Sequence, residues 1–245
     1  MSTNTSRRKS GSSSVSFFFL PPSEASSFTH SASLGRAATA AGGTANPASF
    51  GRRASGRTRG VYKLEDLPAG HRAEIQTLID AAHARNLIGL LDAKLGDNKR
   101  GMIFFKWYGK DIPGSVDVPE YHADFKYLRT VGVSIFNKKQ STGKHYGPLR
   151  VTLRVLYNIN PVDDPNVYIE VGSKVHRWRD DPLFIFDDTL QHQSVNESDA
   201  VRYCLFVDIL RPTLVPRLLG AIVACVRTMI SRFNAAFYKH WKVIK

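Results

Sequence analysis

The central part of the chain consists of short apolar runs separated by polar turn sequences. Six runs have the length and the β-branched and aromatic content that are typical of strands. They are MIFFKWY (102–108), VGVSIF (131–136), LRVTLRVLYNI (149–159), VYIEV (167–171), PLFIF (182–186) and VRYCLFVDIL (201–210). Turn sequences such as NPVDDPN lie between them, and no helical pattern intervenes. This arrangement predicts a mainly β fold, either an antiparallel sandwich or a jelly roll.

Two stretches outside these runs have helical periodicity. Between Leu67 and Leu95, apolar residues recur at intervals of three and four, which predicts one bent helix or two that pack on the β core. After Pro212 a second apolar stripe continues to Trp241, with basic residues elsewhere around it. We interpret residues 213–245 as a basic amphipathic C-terminal helix. Two interpretations remain open: the helix packs against the β domain, or residues 214–245 make a peripheral contact with an anionic membrane surface.

The first 59 residues differ in composition from the rest of the chain. They are rich in Ser, Ala, Gly and Arg, and hold eight basic residues against the single acid Glu24. Such a segment has too little apolar surface to offset the entropy of ordering, so we predict that residues 1–59 are disordered. A soluble basic tail and an organelle transit peptide both have this composition. Residues 60–212 are then the folded domain.

The net charge of +13 comes mainly from the two ends of the chain. Residues 211–245 hold seven basic residues and no acid, which leaves 19 basic and 20 acidic residues in 60–210. A nearly neutral domain does not offer a basic groove to nucleic acid, so we expect a small molecule or peptide as its partner. The two cysteines and the absence of a long apolar run favour an intracellular protein, either cytoplasmic or at a membrane surface.

Two histidines stand at the ends of predicted strands. His145 precedes the 149–159 run, and His192 follows the 182–186 run. In a jelly roll, strands that are distant in sequence become neighbours, so the two imidazoles can meet. Two imidazoles suit Fe, Zn or Cu, and iron(II) oxygenases commonly add a carboxylate two residues after the first histidine. Gly147 holds that position, whereas Asp187 and Asp188 lack ligand spacing and are interpreted as a turn that orients the His192 loop.

Local sequences around the two histidines carry a more specific signal. They are HYGP (145–148), LR (153–154), WRD (178–180), FDDTLQH (186–192), Asn196 and RYCLFVDILRP (202–212). Over about residues 125–212 the chain resembles the aspartyl/asparaginyl beta-hydroxylase family of Fe(II)- and 2-oxoglutarate-dependent dioxygenases, which includes lipid A hydroxylases. The resemblance implies a double-stranded β-helix, that is, a cupin-like jelly roll. It also implies Fe(II) as the metal, with 2-oxoglutarate and O2 as cosubstrates.

The resemblance implies roles for individual residues. His145 and His192 would bind Fe(II), and Gly147 would leave the position of the missing carboxylate open to water and oxygen. Some members of the family carry His-x-Asp, whereas aspartyl/asparaginyl hydroxylase itself carries His-x-Gly, as this chain does. Arg202 and Ser134 match the positions that bind the distal carboxylate of 2-oxoglutarate, since an arginine fork holds a carboxylate through two hydrogen bonds. The alternatives are a surface strand arginine and a buried hydroxyl bonded to backbone.

The chain departs from the family close to a further arginine. Arg154 matches a second arginine near the cosubstrate, with a cross-strand ion pair as the alternative. Two residues later the family usually has a histidine that helps to hold the cosubstrate, and this chain has Leu156. Loss of that donor would weaken binding of the cosubstrate by about 1 to 3 kcal/mol, unless a neighbouring group replaces it.

Three functions are compatible with these residues. The leading hypothesis is a hydroxylase that oxidises an aliphatic carbon of a peptide or protein Asp/Asn-type side chain, or of a lipid acyl chain. The second is a catalytically inactive jelly-roll binding module with a membrane-associating basic tail, because fold does not fix function. The third is an adaptor that binds a membrane or another anionic partner through the two basic ends. The His-x-Gly sequence favours a peptide substrate, and the basic tail favours a substrate located at a membrane.

Overall fold

The computed structural model describes residues 60–95, 101–114 and 116–237, and residues 1–59, with their predicted disorder or targeting role, lie outside that range. The described residues form eleven strands and three α helices. The strands are β1 (Val61–Tyr62), β2 (Gly101–Trp107), β3 (Lys110–Asp111), β4 (Leu128–Phe136), β5 (Gln140–Ser141), β6 (Thr152–Asn158), β7 (Val167–Val171), β8 (Lys174–Arg177), β9 (Leu183–Phe186), β10 (His192–Asn196) and β11 (Arg202–Leu210). The helices are α1 (Ala69–Ala84), α2 (Leu87–Leu95) and α3 (Pro216–Phe237).

The strands form two antiparallel sheets. The larger sheet has the order β1-β9-β6-β11-β4-β2-β3, and the smaller one has the order β5-β10-β7-β8. The sheets pack face to face, because residues of β6, β9 and β11 share one apolar cluster with residues of β7. Strands far apart in sequence are therefore neighbours, as in a jelly roll. The predicted mainly β fold with flanking helices is confirmed, and each of the six predicted runs contains a strand.

The two faces of the larger sheet pack against different parts of the protein, as the residues of β11 show. Its odd-numbered residues lie in the main core, which α1 and α2 cover. They are Tyr203, Leu205, Val207 and Ile209. Its even-numbered residues lie on the opposite face, toward the smaller sheet. They are Arg202, Cys204, Phe206 and Asp208. The polar groups of this second face define the region where chemistry is expected.

The helical stretch before the sheets is two helices rather than one bent helix. The chain leaves α1 at Arg85, and Asn86 adopts a left-handed conformation with φ of 47° before α2 begins. Asparagine is one of the few residues that adopts this conformation without large strain. Both helices bury leucines against the larger sheet, with Leu78 and Leu91 fully buried. The site is thereby left on the other face.

The C-terminal helix packs on the β domain over the length that the structure describes. Val223 of α3 is fully buried in a cluster with Tyr108 and Leu210, and Leu149 packs against the same cluster. The packed-helix interpretation therefore holds for one face of α3. None of the helices in the described ranges is long and apolar enough to cross a membrane.

Candidate active site

The two histidines singled out from the sequence lie side by side. His145 precedes β6 in a loop, and His192 is the first residue of β10. The backbone N–H of each donates to the carbonyl oxygen of the other, at 3.0 Å and 2.9 Å. The imidazole centroids are 4.2 Å apart. The predicted meeting of the two histidines is confirmed, while their role as metal ligands stays a prediction.

Hydrogen bonds orient both imidazoles in the same way. The Nδ1 atoms of His145 and His192 each lie 2.8 Å from a carbonyl oxygen two residues earlier, those of Gly143 and Leu190. A carbonyl can only accept, so Nδ1 donates in both rings and Nε2 is the nitrogen left for a metal. Burial lowers the pKa of His192 to about 4, so its ring is neutral near pH 7. Imidazoles that are oriented through Nδ1 in this way can bind a divalent metal through Nε2.

Gly147 is packed against the side chain of Asp188. A Cβ atom at position 147 would overlap Cγ and Oδ2 of Asp188. The Gly147 N–H also donates to the Asp188 carbonyl oxygen at 2.6 Å. A carboxylate from the loop between β9 and β10 therefore fills the space beside Gly147, while the predicted open position at the metal stays a prediction. Glycine is required here to admit Asp188.

Asp188 belongs to a buried ionic network centred on Arg154. The Arg154 guanidinium donates through Nη2 to Asp188 Oδ2 and through Nε to Asp208 Oδ1, both at 2.8 Å. It also lies over the Phe206 ring, 3.6 Å from its centroid. Burial raises the pKa of Asp188 to about 6, although the charge of Arg154 acts in the opposite direction. Arg154 is thus a cross-strand ion-pair partner, next to the histidines, and its predicted contact with a cosubstrate stays a prediction.

Asp187 shapes the turn that leads to His192. Its Oδ1 accepts hydrogen bonds from the backbone N–H and the hydroxyl of Thr189, at 3.1 Å and 2.6 Å. Its Oδ2 lies 2.5 Å from Nη2 of Arg211. An aspartate that bonds the backbone two residues later is the usual Asx turn. The two adjacent aspartates therefore have different tasks, since Asp187 forms the predicted turn and Asp188 lies at Gly147.

Arg202 is a buried cation with unused donors. It is 2% exposed, and its Nη2 donates to the Ser194 hydroxyl at 2.8 Å. Within the described residues, its Nε and Nη1 have no hydrogen-bond partner. The rings of Phe136 and Trp178 lie beside the guanidinium, at 4.4 Å and 5.1 Å from centroid to Cζ. The alternative of a surface strand arginine is excluded, because the guanidinium is buried. Its unbonded donors are available to an anionic ligand.

Ser134 and Leu156 lie on the same face of the larger sheet as Arg202. Ser134 of β4 pairs with Cys204, two residues along β11 from Arg202. Leu156 of β6 pairs with Phe206 and is buried in the cluster between the sheets. Leu156 thus puts an apolar side chain where the family usually has a donor. The serine and the arginine share one face, as the resemblance implied.

Asn196, which belongs to the sequence motif, stabilises the fold through hydrogen bonds. It is fully buried, its Nδ2 donates to the carbonyls of Asn137 and Ala200, and its Oδ1 accepts from the Ser198 hydroxyl. We expect Asn196→Asp to lower the free energy of unfolding by about 2 to 4 kcal/mol, because a carboxylate would face two carbonyl oxygens. Urea denaturation measures this. The exposed Asn166→Asp control should stay within about 0.5 kcal/mol of the parent, and equal effects would contradict the expectation.

Sequence reasoning missed the aromatic walls around Arg202. Trp178 occurs in the WRD motif, but nothing in the sequence indicated that its ring would lie against the guanidinium. Tyr108 was also missed. Burial raises its pKa, and the Asp208 carboxylate raises it further, so the phenol lies close to the ionic network. The useful signal for both would have been a large aromatic residue at the end of a predicted strand, which is a weak one.

The donor set fits an iron site with a dicarboxylate ligand. Within residues 60–95, 101–114 and 116–237, no group of three His, Cys, Asp or Glu side chains could hold a metal ion. His145 and His192 are the two adjacent imidazoles, and their role as metal ligands stays a prediction. The buried, incompletely bonded Arg202 supplies the positive charge that a distal carboxylate would need.

A family model matches the central part of the chain. The family model described as aspartyl/asparaginyl beta-hydroxylase matches residues 101–212, which include both histidines, Arg154 and Arg202. Over these residues the chain is similar to that family. The match begins at β2 and ends after β11, so it contains the site and ten of the eleven strands in the described ranges. The resemblance seen in the sequence is confirmed.

A curated relative of this chain is the ornithine lipid ester-linked acyl 2-hydroxylase of Rhizobium tropici. It is 34% identical over 90 residues, which are 36% of this chain and 32% of the relative. The chain thus spans about a third of the curated relative that it matches. The matching family and this relative are both described as hydroxylases.

Solved structures with a similar arrangement of strands are more distant. A prolyl-4-hydroxylase of Pseudomonas putida is 12% identical, with 55% of this chain and 88% of that chain covered and a TM-score of 0.37. A Cupin 2 conserved barrel domain protein of Salinispora arenicola is 10% identical, with 53% and 86% covered and a TM-score of 0.33. Similarity at this level says nothing about activity.

Proposed function

We propose that the protein is an Fe(II)- and 2-oxoglutarate-dependent hydroxylase that acts on an aliphatic carbon of a lipid acyl chain. The observation that carries the proposal is the pair His145 and His192, whose Nδ1 atoms are bound to carbonyl oxygens so that Nε2 is left for a metal, together with a buried arginine that has unused donors. Two imidazoles suit iron, and an arginine fork suits a carboxylate. Iron bound there would supply the activation of O2 that oxidation of a C–H bond requires.

The residues of the chain divide the remaining work. His145 and His192 would hold the metal in fixed tautomers, because their Nδ1 protons are bound to carbonyl oxygens. Arg202 and Ser134 would bind the distal carboxylate of 2-oxoglutarate. Arg154 positions the Asp188 carboxylate at Gly147, next to the histidine loop. The cluster that contains Leu156, Phe184 and Phe186 keeps water away from the space between the sheets.

Two observations support a lipid as the substrate. The curated relative from Rhizobium tropici hydroxylates an acyl chain of a lipid. The C-terminal helix of this chain also has an exposed apolar face. A peptide or protein side chain of Asp/Asn type is the second candidate, and it is favoured by His-x-Gly, the form that aspartyl/asparaginyl hydroxylase carries.

Anaerobic titration with Fe(II) and 2-oxoglutarate tests the proposal. We expect a visible metal-to-ligand charge-transfer band that requires both additions, because the band arises only when the 2-oxo acid chelates iron. In His192→Ala the band should disappear while the thermal unfolding of the metal-free protein keeps its cooperativity. Succinate release is then measured with acyl lipids and, separately, with Asp- and Asn-containing peptides. The class of compound that stimulates the release is the substrate class.

The same titration decides between the enzyme and the inactive binding module. A folded protein that gives no band would mean that Leu156 in place of the family's histidine has removed cosubstrate binding. The jelly-roll binding module would then be the better description. A band without succinate release on any acyl lipid or peptide would leave the site intact and reject the proposed substrates.

A further inference from the structure

Helix α3 has two apolar stripes, of which the β domain covers one. The covered stripe packs against the cluster of Tyr108 and Leu210 and consists of Leu219, Val223, Val226 and Ile230. The second stripe lies on another side of the helix and faces solvent. Its members are Leu218, Ile222 and Met229, which are 58%, 38% and 52% exposed. Leu214 and Val215, just before the helix, are also exposed. An exposed apolar stripe of this kind marks an interaction surface.

The helix that carries the exposed stripe is positively charged. It contains Arg217, Arg227 and Arg232, and the chain has no acidic residue after Asp208. Arg227 is partly used within the fold, since its Nη1 donates to the Tyr108 carbonyl oxygen at 2.8 Å. The two other arginines are exposed. A partner of this surface must therefore combine apolar and anionic groups.

A cationic cleft opens at the start of the same helix. It has a volume of about 350 Å³, and its basic lining residues are Lys126, Arg129 and Arg217. Asp124 is the acidic residue that lines it. The Arg129 guanidinium is held rigidly, because it donates to the backbone carbonyls of Phe125, Lys126 and Leu128. Three cations and one carboxylate make the cleft suitable for an anionic headgroup.

Tyr108 and Leu149 connect the covered stripe of α3 to the region of the site. Tyr108 packs against α3, its carbonyl accepts the hydrogen bond from Arg227, and its phenol is affected by the charge of Asp208 in the Arg154 network. Leu149, two residues after Gly147, packs against the same cluster. The covered stripe and the Tyr108 cluster therefore lie between the exposed stripe and the site.

We propose that α3 docks on the surface of an anionic lipid bilayer, with its exposed apolar stripe between the acyl chains and the cationic cleft on a lipid phosphate. An amphipathic helix with a basic polar face binds such a surface in this way. A second copy of α3 is a poorer occupant, because pairing the helix with itself would bring arginines together. Delivery of a lipid acyl chain to the histidine site rests on the proposed function, whereas binding to the bilayer does not.

Cosedimentation of the full chain with vesicles tests the inference. We expect binding to phosphatidylcholine vesicles that contain phosphatidylglycerol, none to phosphatidylcholine alone, and a decrease as salt screens the charges. Leu218→Ser with Ile222→Ser should lower the affinity at least about tenfold, since two large apolar side chains would no longer be buried. Arg217→Gln should weaken binding less. The control is Val175→Ser, which removes a half-exposed apolar side chain from β8 instead.

The outcomes separate this inference from the proposed function. The α3 variant should keep the unfolding temperature and the Fe(II) and 2-oxoglutarate band, and His192→Ala should lose the band but keep vesicle binding. Vesicle binding that the Leu218 and Ile222 changes leave intact would overturn the inference. Absence of any vesicle binding would do the same, as would a concentration-dependent dimer that those changes dissociate, because a second copy would then be the occupant.

Discussion

Replacing Arg202 with methionine is expected to abolish 2-oxoglutarate binding and, at the same time, to stabilise the protein in its absence. The guanidinium is buried with two nitrogens that lack partners in the described residues, so its presence opposes folding. A buried charge that is replaced by an apolar side chain of similar length should raise the free energy of unfolding by about 1 to 3 kcal/mol. Loss of a buried partner for a carboxylate should weaken 2-oxoglutarate binding by at least about 100-fold.

Thermal unfolding with and without 2-oxoglutarate and metal measures both effects. The parent should gain stability with the ligands, whereas Arg202→Met should start higher and gain nothing from 2-oxoglutarate. Arg202→Lys should not restore binding, because an ammonium cannot form the two parallel hydrogen bonds. Arg177→Met, at an exposed arginine of β8, should change neither property. A destabilised Arg202→Met protein that still responds to 2-oxoglutarate would refute the assigned role.

We expect Gly147→Ala to lower the free energy of unfolding by about 2 to 3 kcal/mol. When the same substitution is made in an Asp188→Ala protein, most of this loss should disappear. The Cβ of alanine would overlap the Asp188 carboxylate, which is held in place by Arg154. Overpacking of a site that cannot move has a cost of this size. Asp188→Ala alone should also be destabilising, since Arg154 would keep only one of its two carboxylate partners.

A double-mutant cycle in urea denaturation isolates the coupling between positions 147 and 188. We expect a coupling free energy of about 1 to 2 kcal/mol, with the double variant more stable than the sum of the single effects predicts. Gly143→Ala is the matched control, because a Cβ there meets nothing within 4 Å. Additive effects at 147 and 188 would show that the carboxylate does not occupy the space that the structure gives it.

Hydrophobic pattern alone was sufficient for the helices and for the five longer strands of the larger sheet, but it missed the two-residue strands β1 and β3. The strands β4, β6 and β11 are long and rich in β-branched residues, so their runs stand out from the turns between them. The smaller sheet was mostly missed, because β8 reads KVHR and β10 reads HQSVN. Short polar strands of this kind form because their neighbours align them, and a single sequence carries no sign of that pairing.

The position of the candidate site was predictable from the sequence, whereas its supporting charges were not. His145, His192 and Arg202 were recognised from the local sequences, and the structure brings the histidines together and buries the arginine. The contact between Asp188 and Gly147 was not foreseeable, because their 41-residue separation in sequence says nothing about distance in space. The sequence interpretation treated the two apolar stripes of α3 as one broad amphipathic face. Periodicity cannot show which side of a helix the domain covers.

The alternation of site-facing and core-facing residues along β11 restricts which insertions and deletions the strand can accept. Arg202 and Asp208 face the site, while Leu205 and Val207 on the same strand lie in the helix-covered core. Deletion or insertion of one residue within β11 would turn every later side chain to the opposite face. Aspartate would then enter the apolar core, and leucine would replace charge beside the histidines. The strand can therefore tolerate substitutions on either face separately, but a one-residue insertion or deletion would damage the core and the site together.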